Sequence, residues 1–331
     1  MSRMKSALER GAVSAIVVLL SWGCTAGSAS VSPLASSSNA PASSFAAIPS
    51  AGEPGLAGGR LIALADGVDG SLALWALDSE SKWTVVVPAP GATGMGRTAG
   101  GIALATGREV DLRPAADLTR PVSHLALDWS GVARGVPIVA LDGSAGGELA
   151  IVGAEADKVY YALAGTDGAV TSLAGAPTQS FSPLASWLDG ARLLVLSMDN
   201  LEQSRLAVLD VSSHQLSHAQ ALLGVRWFAV SSDQGTIAAA TANAIYVEPA
   251  ATLLGGSAPQ PIASLGASQV VWDMALDATG SHLFTLSGIV GEDGTVGSIH
   301  EIEYARGAGG WAMTLDQGVP FGRAIAQVYL P

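Results

Sequence analysis

A short motif recurs along this chain at nearly constant spacing. A glycine, usually preceded by Asp or another Gly, comes just before a strand-like apolar run, and successive glycines are 42, 46, 43, 45 and 45 residues apart. The six positions are Gly59, Gly101, Gly147, Gly190, Gly235 and Gly280. A period of this length is typical of an array of similar supersecondary units, each packing against its neighbours in the chain.

The segments between these glycines have the features of short β-strands. Runs such as RLIALAD at 60–66, ARLLVLS at 191–197 and RLAVLDV at 205–211 are bounded by Gly, Asp, Pro or Ser. None keeps a 3.6-residue period, and 40 glycines interrupt the chain too often for long helices. The later units each divide into four strands. Four antiparallel strands in about 40–45 residues predict one blade of a β-propeller.

The two ends of the chain bear on how the ring closes. The first unit begins directly at its second strand, and the chain ends on GRAIAQVYLP at 322–331. If 323–330 supplies the missing first strand, the ring closes with six blades. Seven blades stay open as an alternative, and GATGMGRTAGG at 91–101 is a poor strand because of its glycines. We predict an all-β propeller over 58–331, with six blades favoured and four antiparallel strands in each.

The repeat resembles that of the bacterial TolB-like and WD-like propellers, whose innermost strand runs into a Pro/Trp-Ser-x-Asp-Gly turn. The segments SWLDG at 186–190 and SSDQG at 231–235 are the nearest matches. The repeated Gly-His and Trp-Asp pairs of true WD repeats are missing. The resemblance implies an architecture and no particular ligand.

The N-terminal segment differs in composition from the repeat. Three cations, Arg3, Lys5 and Arg10, precede an uncharged, mostly apolar run at 11–20. This run is too short to span a bilayer as a helix and is typical of a signal peptide. We predict a signal peptide over 1–23.

The only cysteine of the chain, Cys24, follows this run. The stretch LSWGC resembles the lipobox of bacterial lipoproteins, in which a small residue precedes a cysteine that is lipidated and becomes the mature N-terminus. Gly23 matches the pattern, whereas Ser21 and Trp22 depart from it. The resemblance implies lipidation of Cys24. An ordinary signal peptide, whose cysteine is discarded, is the alternative.

Residues 24–57 are almost entirely Ser, Ala, Pro, Gly and Thr, and Glu53 is their only charge. Such a segment cannot bury enough apolar surface to offset its conformational entropy, so we expect a flexible tether. Thr25 rather than Asp follows the cysteine. The lipoprotein resemblance therefore implies an anchor in the cell envelope, and in the outer membrane if the cell is Gram-negative.

The formal net charge is -12 and the pI is near 4.7. An acidic surface repels phosphate backbones, so we expect no nucleic-acid partner. One cysteine excludes a disulfide within the chain.

Three aspartates, Asp189, Asp233 and Asp277, stand 44 residues apart, twice over. Equivalent carboxylates in successive blades could form a ring for a cation. Asp followed by Gly is also the ordinary chemistry of a tight turn, in which the carboxylate accepts hydrogen bonds from the local backbone. We favour the turn.

The remaining titratable residues form no recognisable motif. The five histidines are His124, His214, His218, His282 and His300, and the charged residues near predicted inner strands or loops are Asp128, Asp142, Glu148, Arg192, Arg226, Asp273, Glu292, Asp293 and Arg323. There is no HExxH, GxSxG or Walker loop. We predict no catalytic residue, no metal site and no cofactor.

Trp187, Trp227 and Trp272 fall on the predicted innermost strands of three consecutive blades. Aromatic residues near a propeller channel can form a binding surface, and they can equally pack between blades. Packing is the commoner role.

These features together predict a lipid-anchored, extracytoplasmic propeller that binds or scaffolds a protein, peptide or glycan. The alternative is an enzyme, either a lactonase-like hydrolase with calcium in the channel or a quinone-type oxidoreductase. A structural module of an envelope complex is a third reading. Two convergent carboxylates at the channel would favour the enzyme, and an exposed apolar patch on one face would favour the binding module.

Overall fold

The computed structural model describes residues 59–67, 69–78, 80–128, 136–155, 158–177, 184–197, 203–219, 222–256, 258–290, 296–321 and 327–329. The predicted signal peptide, Cys24, the tether, Glu292, Asp293 and Arg323 lie outside these residues. Within them, no helix combines the length and the apolar character needed to cross a bilayer.

The described strands form six antiparallel sheets of four strands each, and each sheet is one blade. Blade 1 contains β1 (Gly59–Asp66), β2 (Leu72–Asp78) and β3 (Trp83–Pro88). Blade 2 contains β4 (Gly94–Thr98), β5 (Gly101–Thr106), β6 (Glu109–Pro114) and β7 (Ser123–Ala126). Blade 3 contains β8 (Ile138–Gly143), β9 (Leu149–Glu155), β10 (Lys158–Ala164) and β11 (Val170–Pro177).

The second half of the ring follows the same order. Blade 4 contains β12 (Ala185–Asp189), β13 (Arg192–Ser197), β14 (Arg205–Asp210) and β15 (Leu216–His218). Blade 5 contains β16 (Trp227–Val230), β17 (Thr236–Ala240), β18 (Ala244–Pro249), the short helix α1 (Ala250–Leu254) and β19 (Pro261–Ser264). Blade 6 contains β20 (Gln269–Leu276), β21 (His282–Val290), β22 (Val296–Gly307) and β23 (Gly310–Gly318).

The C-terminal strand closes the ring. Strand β24 (Gln327–Tyr329) pairs antiparallel with β1 and becomes the first strand of blade 1, with Ala63 opposite Val328. Just before it, the ring of Phe321 packs edge-on against Trp75 and Trp83 of blade 1, at centroid distances of 5.4 and 4.9 Å. The predicted all-β propeller with six blades, closed by the C-terminal strand, is confirmed.

The core is divided into layers between adjacent blades. Six clusters of buried apolar residues are found in the described part of the chain, one at each blade-to-blade contact. Strand β1 shows how one strand serves two layers: Leu61, Ala63 and Ala65 pack toward blade 6, whereas Ile62 and Leu64 pack toward blade 2. Because successive side chains point to opposite faces, a strand buried on both faces must be apolar throughout.

The glycine-rich stretch 91–101 contains a regular strand, so the prediction of a poor strand there was wrong. Strand β4 lies directly against β8, and a side chain would not fit between them. A Cβ at Gly94 would lie 2.7 Å from the backbone of Val139, and one at Gly96 would collide with the carbonyl oxygen of Leu141. Glycine weakens an isolated strand, but here it permits this close approach of two backbones.

We expect Gly96→Ala to lower the free energy of unfolding by about 3 kcal/mol or more, because the new methyl group must displace backbone. Gly190→Ala is the matched control, since its Cβ would have no atom within 4 Å. Urea unfolding of both variants measures the effect. Equal stability of the two variants would contradict the close packing of β4 against β8.

Candidate functional site

The innermost strands of blades 2 to 6 line a central cavity of about 100 Å³. The polar side chains in its lining are Arg97 on β4, Asp142 on β8, Ser186 on β12 and Asp273 on β20. Four of the six blades therefore contribute a polar group to the channel. These polar groups make the channel the candidate functional site.

An ion pair between Arg97 and Asp142 dominates this channel. The Arg97 Nε donates to Asp142 Oδ1 at 2.6 Å, and Nη2 donates to Oδ2 at 3.2 Å, so the contact is bidentate. The side chains are 14% and 5% exposed. At this depth an ion pair gains more from its Coulomb attraction than at the surface, and leaving either partner alone is costly.

Residues of blades 4 and 5 also form hydrogen bonds with this ion pair. The hydroxyl of Ser186 donates to Asp142 Oδ2 at 2.7 Å, and the backbone N–H of Trp187 donates to the same oxygen at 2.7 Å. The Arg97 Nη1 donates to the carbonyl of Val230 at 2.8 Å. The network thus joins the inner strands of blades 2, 3, 4 and 5 across the axis.

The hydrogen bonds around Asp142 restrict what it can do chemically. Its two oxygens accept four hydrogen bonds, two from Arg97 and one each from Ser186 and Trp187. A carboxylate that accepts this many hydrogen bonds from the protein has little capacity left to coordinate a cation. Asp273 lines the same cavity, is 5% exposed, and accepts a hydrogen bond from the N–H of Met274 at 2.8 Å. Two carboxylates do meet at the channel, but the geometry uses Asp142 to connect blades.

The three spaced aspartates lie in the turns between the first and second strands of their blades. Asp189 accepts a hydrogen bond from the N–H of Ala191 and pairs with Arg192. Burial would raise the pKa of Asp189, but the hydrogen bonds from Arg192 and Ala191 outweigh it and lower that pKa. Asp233 accepts hydrogen bonds from the N–H of Gly235 and the hydroxyl of Ser231.

The turn at Asp277 has the most donors of the three. Its carboxylate accepts hydrogen bonds from the N–H groups of Ser281 and His282 and from the hydroxyls of Thr279 and Ser281. Burial would raise the pKa of Asp277, but these hydrogen bonds outweigh it and lower that pKa. All three carboxylates therefore shape turns, in keeping with Asp-Gly chemistry.

Three histidines pair with carboxylates on their own blades. His124 contacts Asp111 at 2.9 Å, and His300 contacts Asp316 at 2.6 Å. His282 contacts Glu303 at 3.0 Å. In the described chain, no three His, Cys, Asp or Glu side chains come together as metal ligands. His214 occupies a turn with φ of 57°, and the side chain of His218 is outside the described set.

The three tryptophans of interest lie at different depths. Trp187 is 1% exposed, packs between blades 3 and 4, and donates its indole N–H to the carbonyl of Asp142 at 3.0 Å. Trp227 and Trp272 are partly buried against the layers of blades 5–6 and 6–1. Trp187 therefore has the packing role, and the other two keep part of their surface accessible.

Other predicted channel candidates are dispersed. Asp128 follows β7, the outer strand of blade 2, and Glu148 precedes β9, the second strand of blade 3. Arg192 pairs with Asp189 in an exposed turn. Arg226 precedes β16, and its Nε is buried with no hydrogen-bond partner among the residues that the structure describes. Arg97 was not among the candidates, because it lies in the glycine-rich stretch that gave no strand signal.

No protein-family profile matches this chain, and no curated protein matches it. Among solved structures, TolB from Acinetobacter baumannii is similar, with 12% identity over 81% of this chain and 67% of that one and a TM-score of 0.54. A candidate TolB from Agrobacterium tumefaciens gives 14% identity over 81% of this chain and 93% of that one, with a TM-score of 0.54. The likeness is one of fold.

A third solved structure gives a similar TM-score. A chain of the nidogen–laminin complex shares 9% identity over 81% of this chain and 96% of that one, with a TM-score of 0.52. The resemblance to TolB-like propellers is thus confirmed for the architecture. Because function resides in sites and not in folds, the comparisons assign no ligand.

We expect Arg97→Met to lower the free energy of unfolding by about 3–5 kcal/mol, because it leaves Asp142 charged, buried and without its cation. The double variant Arg97→Met/Asp142→Leu should recover much of this loss. Arg192→Met, at an exposed pair, is the control and should cost at most about 1 kcal/mol. Urea unfolding measures all three variants, and a double variant no more stable than Arg97→Met would contradict the coupling.

Proposed function

We propose that this chain is a lipid-anchored, extracytoplasmic β-propeller that binds or scaffolds a protein, peptide or glycan partner in the cell envelope. Residues 1–23 would be the signal peptide, Cys24 the lipidated N-terminus and 24–57 the tether that holds the domain 58–331 away from the membrane. The partner would contact loops or blade edges, which a rigid ring presents in fixed positions.

The hydrogen bonds that Asp142 accepts support a binding role for this domain over an enzymatic one. The channel carboxylate of Asp142 accepts four hydrogen bonds from the protein itself. The channel network therefore stabilises the ring and favours a scaffold over a hydrolytic centre. The N-terminal sequence supports the anchor through its basic residues, its short apolar run and its single cysteine before a polar tether.

The anchor is tested by metabolic labelling with a palmitate analogue during bacterial expression of the full-length chain. We expect label on the wild-type protein and its recovery with membranes. Cys24→Ala should abolish the label and release the protein. Thr25→Ala is the control and should keep both. An unlabelled wild-type chain, or membrane retention of Cys24→Ala, would contradict the anchor.

The enzyme alternative with channel calcium makes a different prediction. A calcium ion that bound the folded channel would raise the melting temperature through mass action. We expect millimolar calcium to leave the melting temperature unchanged, because Asp142 is already saturated with donors. A calcium-dependent increase that Asp273→Asn removes, and that magnesium does not reproduce, would instead support the lactonase-like reading.

A further inference from the structure

The outermost strand of blade 6 differs from the other outer strands of the ring. Strand β23 is 9 residues long, whereas β7, β15 and β19 have 4, 3 and 4 residues. The two other long outer strands, β3 and β11, both end in proline, at Pro88 and Pro177. Short length and proline are two of the usual ways in which proteins protect a sheet edge from pairing. Strand β23 has neither.

The free edge of β23 is accessible. Its hydrogen bonds within the described structure all run toward β22, including side-chain contacts from Thr314 to Glu303 and from Gln317 to Glu301. No described loop donates to or accepts from its backbone on the other side. In an antiparallel ladder, alternate residues of an edge strand direct N–H and C=O groups outward, where another strand can bond to them.

The side chains along this edge are suited to a specific neighbour. Met313 is 55% exposed, and Trp311 beside it is partly buried against the layer of blades 5 and 6. Both lie on the same face of the sheet as Asp316, since they pair with Arg306, Tyr304 and Ile302 of β22. This face of the edge therefore offers an apolar surface followed by one carboxylate.

The charges indicate what kind of strand fits. Strand β23 contains no Lys or Arg, its only charge is Asp316, and the chain as a whole carries -12. Two copies of such a chain repel each other, whereas a basic segment is attracted. Asp316 already contacts His300 at 2.6 Å, but its side chain is 48% exposed, so a lysine or arginine of an added strand could share this carboxylate and add to the main-chain hydrogen bonds.

We propose that β23 is a docking edge for an extended segment of a partner protein, which adds a fifth strand to blade 6 and presents on one face apolar residues beside Met313 and a basic residue beside Asp316. This inference rests on the proposed binding function and names the chemistry of the partner. The main-chain bonds would supply affinity, and Met313 and Asp316 would select the sequence.

A defined peptide tests the edge directly. The probe is a fluorescein-labelled nonapeptide of alternating valine and threonine in which lysine replaces two of the valines at one end, so that valine and lysine share one face. The comparison peptide has glutamate in place of every lysine. We expect the full-length chain to bind the lysine peptide in about the micromolar range and the glutamate peptide at least about tenfold more weakly, measured by fluorescence anisotropy. Absence of binding of the lysine peptide would overturn the proposal.

Two variants locate the binding. Met313→Lys places a cation on the edge and should weaken the binding of the lysine peptide by about tenfold or more. Val85→Lys is the matched control, because Val85 is a 43% exposed apolar residue on the outer strand β3. It should leave affinity unchanged. Equal affinities of wild-type and Met313→Lys chains, with unchanged thermal unfolding, would overturn the assignment to β23.

Hydrogen exchange gives a readout that does not depend on the variants. Peptide binding should slow the exchange of amides within Gly310–Gly318 and leave those of Trp83–Pro88 unaffected. Protection elsewhere without protection of β23 would overturn the proposal, as would a wild-type dimer in sedimentation that Met313→Lys dissolves, because a second copy would then occupy the edge. If the peptide does not bind β23, the labelling of Cys24 still tests the proposed anchor independently.

Discussion

The packing of apolar sheet faces against one another governs this structure. Each blade is a small sheet buried on both sides, so no blade can leave a face uncovered without exposing a full layer of apolar side chains. Strand β1 shows the constraint in one segment, since Leu61 packs toward blade 6 and Ile62 toward blade 2. Burying a side chain of this size stabilises the fold by about 2 kcal/mol, and only a closed ring satisfies every blade. The pairing of β24 with β1 follows from this requirement, because it attaches the chain that leaves blade 6 to blade 1 through main-chain hydrogen bonds.

At the axis of the ring the inner strands must pack closely, and a buried ion pair connects several of them. The inner strands converge there, and their facing side chains must be small or must bond to one another. The contact of β4 with β8 uses glycine, whereas the next layer uses Arg97 and Asp142. A planar guanidinium can donate to several acceptors at once, so one arginine bonds to groups from three other blades. The polar channel is therefore part of the scaffold.

The outer strands form the perimeter of the ring, whereas the inner strands hold its centre together. Most end early or in proline, which keeps the perimeter from pairing with other chains. Strand β23 is the exception, with Met313 and Asp316 exposed along a long open edge. Within the described residues, the inner strands are joined by their own contacts and β23 is a long edge without this protection. Such an arrangement is suited to holding an extended segment. Attachment by a tether would let such a ring search the space near a membrane.

The sequence by itself indicated the strand type and the closing strand, and it favoured six blades over seven. These depend on local signals, namely the spacing of Gly147, Gly190 and their counterparts and the uniformly apolar runs that follow them. The sequence also indicated the turn role of Asp277, because an Asp followed within a few residues by Gly is a local turn signal. Only the tertiary structure decided the role of Arg97, whose partners lie 45, 89 and 133 residues away in the chain. It likewise decided that the glycines of β4 face a neighbouring backbone and that Trp187 is buried. Contacts between blades depend on which faces meet after the ring closes, and no local pattern encodes that.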